Sequence, residues 1–203
     1  MKRIFVMALI TLAVANGYSQ EQGKFRVGLD LGFVPASGGA GVMLSIEPKY
    51  NMADNMNVGL RIGIAGIARD VQDDVNNPSA KIAANNSYVG TYDYYFHKSG
   101  LGSSFAPYVG AGFGYYSLAN VEIDNTDNSV PDSFSPAVSG KMGGLIRAGF
   151  EWGKFRMGLE YNIVPDSDLE NLNGVIIGPV KNAYLGIHLG FFLGGGKWGK
   201  KAD

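Results

Sequence analysis

Few side chains in this sequence could do acid–base or nucleophilic chemistry. There are two histidines, His97 and His188, and no cysteine, so thiolate nucleophiles, thiolate metal sites and disulfide scaffolds are excluded together. A Ser-His-acid hydrolase needs a serine and a carboxylate arranged around one imidazole, and no serine motif accompanies either histidine. The run Asp166-Ser167-Asp168-Leu169-Glu170 alternates carboxylates as a hard-cation site can. It lacks the glycine and the twelve-residue spacing of a calcium loop. Asp70, Asp73, Asp74, Glu122, Asp124, Asp127, Asp132, Asp166, Asp168 and Glu170 lie in polar stretches with few bases, which reads as solvated acidic loops. The expectation is a protein without catalytic residues, metal or cofactor.

The other charges sit at every second position of apolar segments, and the period is two rather than 3.6. Phe25, Val27, Leu29, Leu31 and Phe33 alternate with Arg26, Gly28, Asp30 and Gly32. Seven more segments follow, centred on Leu44, Leu60, Tyr92, Ala111, Ala148, Leu159 and Ile187. Their apolar faces oppose, in turn, Glu47 and Lys49; Arg61; Asp93; a row of glycines; Lys141, Arg147 and Glu151; Arg156 and Glu160; and His188. Each runs for about 9–13 residues, the length of a tilted strand that crosses a bilayer. An even number of strands lets an antiparallel sheet close on itself.

Composition agrees with this pattern. The 203 residues are 46% hydrophobic and 17% charged, with 30 glycines and no collagen-like period. Lys2 and Arg3, the apolar run from Ile4 to Ala15, and the small residues Gly17 and Ser19 before Gln20 have the form of an export signal. The expected organisation is a signal peptide at 1–19, a barrel at 20–193 and a short basic periplasmic tail at 194–203. Ala13 and Ala15 offer a second cleavage position. Without Lys2 and Arg3, 15 basic residues face 18 acidic ones, a charge of −3, which gives no electrostatic case for nucleic acid. Past residue 20 no stretch is long and apolar enough for a spanning helix.

The second, fourth and sixth connections are short, while the third, fifth and seventh are long, the arrangement of short periplasmic turns and long extracellular loops. Phe25, Tyr50, Phe96, Phe105, Trp152, Phe155 and Phe191 all fall at short-turn ends and on the apolar face. Rings favour the headgroup level, so these seven form an expected aromatic girdle. Gly153-Lys154 suits a two-residue hairpin turn with Gly at the positive-φ position. That register sets Trp152 opposite Phe155, Glu151 opposite Arg156 and Arg147 opposite Glu160, and the last two pairs are expected as lumen ion pairs.

With eight such segments and the glycine-alternating stretch Pro107-Tyr108-Val109-Gly110-Ala111-Gly112-Phe113-Gly114-Tyr115, the chain resembles the small eight-stranded outer-membrane barrels, the OmpA/OmpX-like family of Gram-negative bacteria. The resemblance covers residues 24–193. It implies an all-β, eight-stranded antiparallel transmembrane barrel in the cell outer membrane, in contact with lipid, lipopolysaccharide and the barrel-insertion machinery. Members are variously membrane stabilisers, adhesins, narrow pores and carriers for hydrophobic compounds. No peptidoglycan-binding domain follows the barrel segments, so that role is not carried over. The chain also continues past Phe191-Phe192 into Gly194, Gly195, Gly196 and a basic stretch.

The interior is expected to hold Arg26, Lys49, Arg61, Lys141, Arg147 and Arg156 with Asp30, Glu47, Asp93, Glu151, Glu160 and His188. Eight strands leave room only for side chains, and buried charges are costly unless paired. A filled ion-pair lattice is therefore favoured over a pore. The expected function is structural or interactional, with an extracellular ligand at the loops. A narrow channel or carrier is the alternative, and the apolar stretch 175–180 would add weight to a carrier if it lined a lateral opening. A soluble lipid-binding barrel would need the aliphatic face to point inward.

Overall fold

The computed structural model describes residues 21–36, 39–71, 79–96, 105–124, 138–170 and 176–195. Alternation at period two becomes ten strands: β1 (Phe25–Ala36), β2 (Gly39–Ala53), β3 (Met56–Val71), β4 (Ser79–Tyr95), β5 (Phe105–Asp124), β6 (Val138–Trp152), β7 (Phe155–Ile163), β8 (Ser167–Glu170), β9 (Ile176–Val180) and β10 (Tyr184–Gly194). Eight close into a barrel in the order β1-β10-β7-β6-β5-β4-β3-β2, every neighbour antiparallel. β8 and β9 form a separate two-stranded sheet. Closure leaves the barrel with no first or last edge, so backbone donors and acceptors are paired around the wall.

Side-chain direction follows the predicted parity. On β2 exposure alternates from residue 41 to 52, with Val42, Leu44, Ile46, Pro48 and Tyr50 outward and Met43, Ser45, Glu47, Lys49 and Asn51 inward. β7 repeats the pattern with Phe155, Met157, Leu159, Tyr161 and Ile163 outward. Charges line the axis and aliphatic groups face outward, which is the opposite of a lipid-binding cavity and removes the soluble reading.

The hairpin register is as the turn chemistry dictates: Trp152 pairs Phe155, Glu151 pairs Arg156 and Arg147 pairs Glu160. Gly153 turns with φ of 63°, the left-handed conformation that favours glycine.

Three strands run farther than the apolar pattern marks. β3 continues to Val71, β4 begins at Ser79 and β5 reaches Asp124, with pairs such as Arg69–Lys81 and Lys81–Glu122. Antiparallel backbone pairing continues without interruption through these residues. Asp70, Glu122 and Asp124 therefore stand on strand extensions rather than in loops. The stretch 176–180 neither extends β10 nor joins the barrel wall; it pairs with β8. Residues 1–20, His97, and the tail beyond residue 195 lie outside the described residues.

Candidate functional site: the barrel lumen

The lumen has two tiers. Toward the short turns it is ionic. Arg147 on β6 holds Glu47 of β2 (Nη2–Oε1 2.6 Å, Nη1–Oε2 3.1 Å) and Asp93 of β4 (Nε–Oδ1 2.8 Å, Nη2–Oδ2 2.9 Å). Glu47 also accepts from Arg156 Nη1 at 3.0 Å and from Thr91 Oγ1 at 2.6 Å, and it pairs with Lys49 Nζ at 3.2 Å. Lys49 bonds Asp93 as well. Arg156 Nε donates to Tyr108 Oη at 2.9 Å, and its Nη1 lies 3.8 Å from Asp30, which accepts from Ser45. Nearer the rim, Arg26 forks onto Glu151 at 2.8 and 3.1 Å, and Tyr95 Oη donates to the same carboxylate at 2.7 Å. All of these side chains are buried.

A second ionic group stands higher. Arg61 Nη2 meets Glu160 at 2.8 Å and Arg61 Nη1 reaches Ser87 at 3.2 Å. Asn162 Nδ2 donates to Glu160 at 2.8 Å, while His188 Nδ1 stands 3.7 Å from the other Glu160 oxygen. His188 Nε2 is 3.4 Å from Tyr108 Oη. His188 is thus a buried polar lumen residue standing between Glu160 and Tyr108. Among the described residues no cluster of His, Asp or Glu could hold a metal ion.

The loop side packs mainly apolar groups, with the buried Asn85 amide registered between Ala65 and Leu118. Val34, Met43, Ala65, Ile67 and Tyr184 form one buried cluster, and Val89, Tyr116, Leu118, Leu145 and Val164 another. Val164 follows the end of β7, and the connection is tied down by Asn182 Nδ2 donating to the Pro165 carbonyl at 2.7 Å.

Two expected ion pairs are corrected. Arg147 and Glu160 are register neighbours, as are Glu151 and Arg156, yet neither pair forms a salt bridge among the described contacts. Arg147 turns to Glu47 and Asp93, Glu160 to Arg61, Glu151 to Arg26, and Arg156 to Glu47 and Asp30. Adjacency along the sheet fixes only where a Cβ starts. A guanidinium on a long stem crosses a narrow lumen and takes the carboxylates that satisfy its fork bidentately. Lys141 lies in the upper part of β6, half-buried rather than within the lattice.

The expected girdle places rings on the outer face only, and the lumen holds aromatics as well. Tyr95, Tyr108, Tyr116 and Phe192 are buried inside. Phe192 has the guanidinium of Arg26 4.0 Å from its ring centroid, with Lys49 and Arg156 at 5.4 and 5.5 Å. The signal was parity: Tyr95 shares a face with Asp93, and Phe192 with His188.

Outside, Phe25, Tyr50, Phe105, Trp152, Phe155 and Phe191 are exposed at the short-turn end, with Phe96 half-buried beside Tyr94. Register links Phe25 to Tyr50, and Phe105 to Trp152, Phe155 and Phe191 in turn. A second set, Phe33, Tyr88, Tyr115 and Tyr161, is exposed toward the loop side. Phe105 and Tyr115 are ten residues apart on β5, about 34 Å along the strand and about 26 Å along the axis at a tilt near 40°, the height of an outer-membrane apolar band. In the β6–β7 turn, partial burial and the charge of Arg26 lower the Lys154 pKa.

The chain is similar to the N-terminal β-barrel domain of Pseudomonas aeruginosa OprF (17% identity, 86% of this chain and 100% of that one, TM-score 0.45). It is also similar to Neisserial surface protein A (12% identity, 85% and 97%, TM-score 0.46). A third similar structure is the attachment invasion locus protein Ail of Yersinia pestis in complex with the heparin analogue sucrose octasulfate (13% identity, 88% and 99%, TM-score 0.37). No curated protein matches the chain. Residues 4–191 match the family described as the outer membrane protein beta-barrel domain, and the chain belongs to that family as an eight-stranded antiparallel transmembrane barrel.

Proposed function

We propose that this protein is an ion-tight barrel of the outer membrane whose role is structural or interactional, the wall anchoring the chain in lipid and the loop side meeting partners. The observation that carries this reading is the filled lumen: a buried lattice around Glu47, Arg147 and Asp93 below, and two apolar clusters above. Each charge in that lattice has an opposite charge no more than 3.8 Å away, which stabilises it in the interior, while Asp30 Oδ1 and Arg156 Nη2 keep no hydrogen-bond partner among the described residues. The aromatic rings at the short-turn end act as the headgroup-level girdle, and residues 1–19 supply the export signal. Lipid and lipopolysaccharide surround the wall, the barrel-insertion machinery assembles it, and an extracellular ligand would be met by the acidic loop side.

Planar-bilayer recording tests the reading. Purified barrel should add no reproducible conductance steps; steps of uniform size would replace it with the narrow-channel alternative. Recovery of the protein in the soluble periplasmic fraction, without heat-modifiable gel mobility, would overturn the membrane placement itself.

A further inference from the structure

The outer wall carries ranks of aliphatic side chains set by the strand register. Between two ranks of aliphatic side chains runs a furrow with a volume of about 630 Å³. The register defines it fully. Its lower bank is the row Phe155–Phe191–Leu29–Ile46–Ile62, its upper bank is Leu189–Leu31–Leu44–Ile64, and its floor is the backbone of Gly190–Asp30–Ser45–Gly63. The furrow thus crosses β7, β10, β1, β2 and β3. Four interstrand steps of about 4.8 Å make it about 19 Å long.

Its two ends differ in depth. Phe155 is the first residue of β7, at the aromatic rim, whereas Leu29 lies four residues above Phe25 and Ile62 six above Met56. The furrow therefore begins at the headgroup level and climbs into the apolar band. One leaflet of a bilayer is about 15 Å deep, so an inclined channel of this length matches a single fatty-acyl chain descending from a headgroup. Lys154, exposed and adjacent to Phe155, donates its ammonium group to the Gly194 carbonyl and sets a positive charge at the rim end, at headgroup level.

We propose that this furrow seats one acyl chain of a glycerophospholipid from the leaflet on the short-turn side, holding that lipid more tightly than its neighbours around the barrel. The proposal rests on the transmembrane placement and is independent of whether the lumen conducts.

Native mass spectrometry of the barrel, stepped through increasing delipidation in mild detergent with added palmitoyl phosphatidylglycerol, tests it. Wild type should keep one phospholipid at a detergent level that strips the rest. Leu31→Ala with Leu44→Ala, which removes the upper bank while leaving the surface apolar, should keep none, and Ile146→Ala on β6 should keep one. Equal retention in all three proteins would overturn the proposal. So would a mass of two chains in wild type that is lost in the double variant, because the furrow would then seat a second copy. Should the double variant fail to close, as judged by heat-modifiable mobility, competition on wild type decides. Palmitoyl lipid should displace the decanoyl form at least tenfold better than the reverse; equal displacement would overturn the acyl assignment.

Discussion

Glu47 shows how a single carboxylate organises the lower lumen. It faces Arg147, Arg156, Lys49 and Thr91 at 2.6–3.2 Å while itself fully buried. Removing it leaves three cations sharing Asp93 and Asp30 in a low-dielectric interior. Glu47→Ala should destabilise the barrel by about 3–5 kcal/mol, read as a shift in urea-unfolding midpoint in vesicles; a loss below about 1 kcal/mol would mean the remaining carboxylates suffice. A double-mutant cycle resolves the choice of partners. Arg61 with Glu160 should show strong coupling and Arg147 with Glu160 little, although only the second pair is adjacent in register. This marks the boundary of what was legible at this scale. Parity in the sequence told which face each charge occupies, since alternation is a local property. Which carboxylate an arginine reaches depends on closure of the barrel, which brings β2, β4, β6 and β7 together around one axis, and no local pattern encodes that.

At the scale of the strands, glycine is the device that lets large groups stand inside. A Cβ on Gly190 would lie 2.2 Å from Asp30 Oδ1, and one on Gly158 would lie 2.4 Å from Tyr108 Oη. Not every glycine carries this duty. A Cβ on Gly114 would approach the Tyr88 carbonyl to 2.1 Å, a backbone atom that cannot swing away, whereas one on Gly90 meets only the Phe113 carbonyl at 3.7 Å. Gly114→Ala should therefore cost about 1–3 kcal/mol by overpacking, and Gly90→Ala should stay within about 0.5 kcal/mol, both measured by urea unfolding in vesicles. The outward positions answer to a different solvent. Leu159 is outward in the middle of β7 and half exposed, so Leu159→Arg should cost about 2–4 kcal/mol in a bilayer. A neutral result would place that face away from lipid. Strand existence and the β6–β7 register were readable because apolar alternation and turn chemistry act over a few residues. The extensions of β3, β4 and β5 were not, because small and polar residues such as Gly66, Ala68, Ala84, Asn86, Ser117 and Ala119 interrupt the rank of large apolar side chains, while antiparallel pairing carries the strands onward.

Across the whole molecule the two tiers of the lumen stand in series, and this arrangement makes a prediction that neither tier makes alone. The ionic tier resists passage because a moving ion must break pairs whose members have no water to turn to. The loop-side tier resists because an ion entering it meets Met43, Ile67, Leu118 and Leu145, with only the Asn85 amide and the Tyr116 and Tyr184 hydroxyls to replace its hydration. Barriers in series are governed by the higher one, so opening one tier should leave the other in control. Met43→Ala with Leu118→Ala, which thins the loop-side tier, should give a folded barrel that still shows no conductance steps in planar bilayers, and Arg147→Ala with Asp93→Ala should do the same. Only the four substitutions together should produce steps. If thinning the loop-side tier alone were sufficient, ions would be passing the Glu47 lattice as it stands. The lower lumen would then be a wet, selective conduit closed from the loop side, and the channel reading would displace the structural one.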